Sequence, residues 1–211
     1  MKILFYGDSI TDMRHKQDAF GDIFSYGDGY VFFATGDLLK DDPTKYEILN
    51  CGISGNRIVD LYARVKRDVW NHNPDVLSIL IGVNDVWHDQ GDNPNGVDLQ
   101  RWEKMYRILL DDTLERLPNV KLMIMEPFVL HGAATDGNFE HFLKVKEYAK
   151  VAKKIAEDYG ACFVPLQEKM DAAAEKFAPH CYLYDGVHPA IAGARLIADE
   201  WVAKFKQEID K

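Results

Sequence analysis

Ser9, Asp185 and His188 are residue types that can together attack a carbonyl and move the proton that the attack releases. A serine hydroxyl becomes a useful nucleophile when an imidazole takes its proton and a carboxylate holds that imidazole in the right tautomer. The chain has only four serines, at positions 9, 25, 54 and 78. Ser78 falls inside an apolar run that reads as a strand, and Ser25 lies in a loop with no histidine motif beside it. Ser54 sits in Gly-Ile-Ser-Gly-Asn, which is not the Gly-x-Ser-x-Gly elbow, and no such elbow occurs in the chain. Ser9 remains, in Gly-Asp-Ser at the end of the run 2–6. Asp185 and His188 stand three apart, just before Pro189, a residue suited to a first helical turn. Turn chemistry and helix capping would explain each of the three alone. They explain less well why an acid and an imidazole share one short loop.

Acyl transfer also needs donors aimed at the developing oxyanion. Two segments offer them: Asn50 to Asn56, with Gly52 and Gly55, and Gly82-Val83-Asn84-Asp85. A glycine amide can approach a substrate closely because no side chain intervenes, and the Asn84 side chain carries an amide donor. Either segment alone would read as a tight strand-to-helix turn.

The elements that must position these residues follow from the apolar pattern. Unbroken apolar runs at 2–6, 46–50, 76–81, 120–125 and 161–165 predict strands covered on both faces. Helical periodicity predicts helices over 30–40, 57–71, 99–117, 139–159, 168–177 and 190–209. Alternation of this kind gives an α/β fold, here a three-layer α/β/α, flavodoxin-like domain with five parallel strands in the order 2-1-3-4-5. Ligands bind such sheets outside the carboxyl ends of the strands. The long loops 13–29, 86–98 and 129–138 should therefore share a rim with Ser9. No linker, repeat or low-complexity tract divides the 211 residues, so residues 1–211 are expected to form one domain.

The balance of the chain excludes several classes. A net charge of −9 opposes nucleic acid or an anionic membrane as a partner. The seven histidines show no metal-ligand spacing, and no glycine-rich phosphate loop is present, so neither a metal nor a nucleotide cofactor is expected. Cys51, Cys162 and Cys181 are odd in number and lack CxxC spacing. They read as buried thiols in a reducing compartment rather than as a disulfide framework. A cysteine nucleophile at Cys51 or Cys181 is disfavoured, because a base generally reaches its nucleophile from a different strand end. The short apolar start, already leading into Ser9, fits neither a signal peptide nor a membrane span, and a cytoplasmic location is expected.

Taken in order, Gly7-Asp8-Ser9-Ile10, Gly52-Ile53-Ser54-Gly55, Gly82-Val83-Asn84-Asp85 and Asp185-Gly186-Val187-His188 resemble the markers of the SGNH, or GDSL-like, hydrolases. Only Ile10 departs, standing where Leu is commonest. The resemblance spans essentially the whole chain. It implies Ser9 as nucleophile, His188 as general base and Asp185 as its orienting acid. It also implies oxyanion donors at the Ser9 N–H, the Asn84 side chain and the Gly55 N–H, with Gly52 the alternative to Gly55. Gly-Asp-Ser-Ile-Thr-Asp, Gly-Tyr-Val at 29–31, Ile-Gly-Val-Asn-Asp-Val-Trp at 81–87 and Val-His-Pro with a glycine at 193 are similar to the acetyl-xylooligosaccharide esterases of that family. The implied substrate is an acetylated oligosaccharide. Trp87 and Tyr184, which adjoin motifs at strand ends, are candidates to stack on a sugar ring, Asp8 is a further candidate contact, and Phe128, just after Pro127, reads equally as a rim aromatic or as core packing. Rival readings are a short-chain esterase, thioesterase or lysophospholipase, and a carbohydrate-binding relative without turnover. Self-association through the outer helices is compatible with the helix patterns.

Overall fold

The computed structural model describes residues 1–17 and 21–210. Part of the loop expected at 13–29, residues 18–20, lies outside the described residues. Five strands, β1 (Lys2–Gly7), β2 (Glu47–Gly52), β3 (Val76–Leu80), β4 (Lys121–Met125) and β5 (Cys162–Val164), pair in parallel in the order β2-β1-β3-β4-β5. Each coincides with a predicted apolar run, and the order is the predicted one.

The helices are α1 (Ser9–Asp12), α2 (Tyr30–Leu39), α3 (Ile58–Asp68), α4 (Val83–Trp87), α5 (Leu99–Arg116), α6 (Phe139–Phe142), α7 (Val145–Asp158), α8 (Gln167–Lys176), α9 (Pro179–Tyr182) and α10 (Ile191–Lys204). A wider π turn, Phe205–Ile209, continues from α10, so the predicted helix 190–209 changes its winding near its end. Helices α2 and α10 pack together, and α5 packs between α3 and α7. The Phe5 ring of β1 meets Tyr30 of α2 at 5.7 Å and Trp201 of α10 at 4.7 Å. The Trp201 indole N–H donates to Ser78 Oγ at 2.8 Å, so the strand serine serves as a buried acceptor. Trp102 of α5, wholly buried, packs edge-on against Tyr106 and against Tyr148 of α7. Each such fully buried side chain contributes about 1.5–3 kcal/mol relative to exposure.

Two predicted elements differ. The helix expected over 139–159 breaks at Leu143–Lys144 into α6 and α7. The short α6 is drawn to α4: His141 Nε2 donates to the Val86 carbonyl at 2.9 Å, and Phe142 packs edge-on against Trp87 at 5.6 Å. The stretch 83–87, expected to be turn and loop, winds instead into α4. Cys51 and Cys162 are buried as expected, but Cys181 is exposed, in the single turn of α9. None of the three forms a disulfide. Among the described residues, no helix is long and apolar enough to cross a membrane.

Candidate active site

The sheet's carboxyl edge gathers the four sequence motifs. β1 stops at Gly7 because α1 folds back onto it: a Cβ there would lie 2.4 Å from Thr11 Oγ1 and 2.5 Å from the Leu80 carbonyl. Asp8 then caps α1, its Oδ1 accepting the Ile10 N–H at 3.0 Å. Ser9 thereby becomes the first residue of a helical turn, and its Oγ lies 2.8 Å from His188 Nε2.

His188 and Asp185 sit on a loop tied at both ends. Leu183 bridges Pro189, the Tyr184 N–H donates to the His188 carbonyl at 3.0 Å, and the Ala190 N–H donates to the Tyr182 carbonyl at 2.8 Å. The segment after β4 supports it from below: the N–H groups of Leu130 and Ala134 donate to the carbonyls of Gly186 and Asp185, each at 2.9 Å. Asp185 Oδ2 lies 2.7 Å from His188 Nδ1, and its Oδ1 accepts the N–H groups of Val187 and His188 at 2.9 and 2.8 Å. Burial alone would raise the Asp185 carboxyl, but the hydrogen bonds from the His188 ring and from these two amides hold it below the usual carboxylate range. The same bond from Asp185 raises His188 above an ordinary imidazole, against the opposing effect of burial, and the charge of Asp8 adds to the rise. With Nδ1 held by the carboxylate, Nε2 is the nitrogen that faces the serine hydroxyl, as proton acceptance from Ser9 requires.

The loop after β2 runs alongside. Ile53 N–H donates to the Gly7 carbonyl at 3.0 Å, and Asn56 N–H to the Ile53 carbonyl at 3.2 Å. Gly52 is locked inward, its N–H donating to Asn50 Oδ1 at 3.0 Å and its α-carbon pressed against the Asp12 backbone. Gly55 has φ +82°, open space where a Cβ would be, and an N–H without a partner among the described residues. Asn84, near the start of α4, is buried, and its amide donates to the Asn56 carbonyl at 3.1 Å, leaving a second N–H. Its neighbour Asp85 is wholly buried and accepts the Ile58 N–H at 3.0 Å, capping α3.

Of the residues expected to contact substrate, Tyr184 is more than half exposed and stacks on the His188 ring at 5.7 Å. Trp87 is half-buried, with its ring 6.0 Å from that of His188. Asp8, beside Ser9, and Phe128 are both turned into the core. Both are wholly buried, Asp8 because helix capping turns its carboxylate inward, so neither presents a surface to a ligand. A cleft of about 270 Å³ opens at Ser9, lined also by Met13, Arg14, Ser54, Tyr184 and His188. Met13 and Arg14 belong to the loop expected to share a rim with Ser9, and Ser54 to the expected oxyanion segment, but none of the three was singled out as a lining residue. Their part is fixed by how α1 and the β2 loop meet, which no spacing along the chain reveals.

The comparisons with known proteins agree with this geometry. Residues 5–196 match the model of the GDSL-like Lipase/Acylhydrolase family. An acetylxylan esterase of Geobacillus stearothermophilus is 37% identical over 204 residues, covering 93% of this chain and 90% of the relative. Its crystal structure superimposes with a TM-score of 0.85 at 33% identity, over 96% of this chain and 93% of the other. A GDSL-like protein of Parabacteroides merdae gives a TM-score of 0.90 at 37% identity, over 98% and 96% of the two chains. A serine, an imidazole and an acid in hydrogen-bond sequence, at the carboxyl edge of a 2-1-3-4-5 sheet, thus fall within a match that runs almost end to end. The chain belongs to the GDSL-like lipase/acylhydrolase family, and it is a carboxylic ester hydrolase.

Proposed function

We propose that the protein is an acetylesterase that removes acetyl groups from hydroxyls of small saccharides, of the xylo-oligosaccharide type, through an acetyl-Ser9 intermediate. The observation that carries this reading is the unbroken chain Ser9 Oγ to His188 Nε2 to Asp185 Oδ2 in a fold shared with an acetylxylan esterase. Solved catalytic mutants of the Geobacillus enzyme alter a serine, an aspartate and a histidine. In that enzyme the serine and histidine are separated by 179 positions and the aspartate precedes the histidine by three, the separations found here.

In the proposed reaction Ser9 Oγ adds to the acetyl carbonyl while His188 Nε2 takes its proton. The resulting imidazolium is stabilised by Asp185. The Ser9 N–H, the Gly55 N–H and the Asn84 amide receive the oxyanion; Gly52 is passed over because its N–H is already given to Asn50. Collapse breaks the bond from the acetyl carbon to the sugar oxygen, which takes the proton from His188 and leaves as a hydroxyl. Water, deprotonated by His188, then releases acetate and returns Ser9. Tyr184 and Trp87, flat rings 5.7 and 6.0 Å from that of His188, suit the face of a pyranose. No metal or organic cofactor enters any step. A cytoplasmic setting suits three thiols without a disulfide.

One observation favours a second reading. An apolar groove of about 810 Å³, lined in part by Ile23, Phe24, Phe32 and Ile191, shares Met13, Arg14 and Tyr184 with the cleft at Ser9. A longer acyl chain would have a place there, as in a lysophospholipase or thioesterase. The test is acetate release from acetylated xylo-oligosaccharides, run beside p-nitrophenyl esters of increasing acyl length, with wild type and Ser9→Ala in parallel. Release from the sugars that vanishes in the mutant, with turnover collapsing beyond short chains, is expected. Ser9-dependent turnover that rises with chain length and ignores the sugars would replace the proposal with the second reading.

A further inference from the structure

The hydroxyl of Ser54 meets no imidazole. It donates to Asp12 Oδ2 at 2.5 Å, and the Ser54 backbone N–H reaches the same oxygen at 3.1 Å. The other oxygen of that carboxylate, Oδ1, lies 2.8 Å from Nδ1 of His15, whose side chain is almost wholly buried. Serine, acid and histidine therefore occur a second time, with Ser54 in the wall of the cleft at Ser9, but in the wrong sequence for nucleophilic attack: here the carboxylate stands in the middle and receives both donors. A hydroxyl that gives its proton to a carboxylate is an anchor, not an activated nucleophile.

The anchor's position gives it meaning. Asp12 closes α1, the helical turn that begins at Ser9, and its own N–H donates to the Asp8 carbonyl at 2.8 Å. Ser54 immediately precedes Gly55. Gripping Ser54 at both its N–H and its hydroxyl leaves little but the ψ angle of Ser54 to determine where the Gly55 N–H points. Gly55 itself, with φ +82° and open space where a Cβ would be, has no side chain to pack, and the turn that carries it is closed by the bond from the Asn56 N–H to the Ile53 carbonyl. Burial would raise the Asp12 carboxyl, but the bonds from His15 and Ser54 outweigh it and hold the group below the usual carboxylate range.

We propose that Asp12, oriented by His15, is a positioning residue that clamps Ser54 to the nucleophile's helix and so aims the Gly55 N–H at the oxyanion. The clamp rests on the reading of Gly55 as an oxyanion donor in an ester hydrolase. It makes one distance, from nucleophile to donor, a property of α1 rather than of the loop. A misplacement of about 1 Å at such a donor costs on the order of 100-fold in rate, and a donor that acts only in the transition state moves kcat rather than KM.

The experiment is steady-state hydrolysis of p-nitrophenyl acetate by wild type, Asp12→Asn, Ser54→Ala and His15→Gln, with thermal unfolding of each and the rate of Ser9 phosphonylation by a p-nitrophenyl alkylphosphonate. Asp12→Asn is expected to lower kcat roughly 10- to 100-fold with KM within about twofold, and to slow phosphonylation in step. Ser54→Ala, which keeps the Asp12–His15 pair and so guards against a variant that fails to fold, should lose about 3- to 10-fold in the same two rates. His15→Gln, whose amide can still donate to Asp12, should retain most of the activity. Folded Asp12→Asn with wild-type kcat overturns the clamp, as does a loss confined to KM or one that merely tracks the fraction unfolded. Absence of ester turnover by the wild type overturns the underlying activity and the clamp together.

Discussion

At the level of single residues the site depends on two proton affinities pulled apart. His188 is raised by its bond to Asp185, so its neutral, proton-accepting form is lost as pH falls through a value above that of a free imidazole. Activity should therefore decline toward acid sooner than an unpaired histidine would require. Asp185→Asn removes the cause of the rise while its Oδ1 can still accept the Val187 and His188 amides, leaving the loop folded. The expected result is a fall in kcat on the order of 10⁴ and an acid limb displaced to lower pH in a kcat profile; an unmoved limb would remove Asp185 from its proposed role. Most of these side chains could be read from the chain because the motifs are local: Asp185 and His188 share a loop, and Ser9 follows a strand. Asp8 could not. Adjacency to Ser9 suggests the cleft, yet the capping geometry turns it into the core. Asp12 and Ser54 are 42 positions apart, and nothing along the chain announces their bond.

Among the elements, the strands were legible because a sheet covered on both faces writes itself as unbroken apolar runs. The break between α6 and α7 was not, because helical periodicity persists through Leu143–Lys144 and the pull of α4 is a tertiary effect. A second tertiary contact governs the loop that carries Asp185. Gly132, in the segment after β4, lies so close beneath it that a Cβ would stand 2.3 Å from both Asp185 C and Gly186 N. Backbone cannot swing aside as a side-chain tip can. Gly132→Ala should destabilise the fold by about 1–3 kcal/mol and, at temperatures where the variant remains folded, depress kcat by lifting Asp185 away from His188. Calorimetry with kinetics below the transition checks both halves; a variant with wild-type Tm and rate would show that the 132–135 segment does not hold the loop.

At the scale of the whole molecule, two carboxyls among the described residues, those of Asp8 and Asp85, are wholly buried. Burial pushes Asp8 up to about 7 and Asp85 up to about 8, with the charge of Asp8 adding to the rise at Asp85. One oxygen of each has no partner among the described residues. Because the folded state holds these protons more tightly than the unfolded chain, their contribution to stability is intact below the unfolded carboxyl value near 4. It is lost as pH climbs toward about 7 and 8. Asp85→Asn cannot ionise and keeps an acceptor for the Ile58 N–H. It should match the wild type near pH 5 and exceed it by roughly 1–3 kcal/mol near pH 9 in urea unfolding. Parallel pH slopes for the two proteins would show that Asp85 is not the group responsible.

Ser9 and His188 touch across 179 intervening steps of chain, and a ribosome adds roughly 5–20 residues each second. The serine therefore emerges some ten to forty seconds, roughly, before the histidine that would activate it. Until then it is an ordinary alcohol on a half-built sheet. Reactivity in this molecule is thus timed as well as placed: a nascent chain stalled before His188 carries the proposed nucleophile but cannot use it.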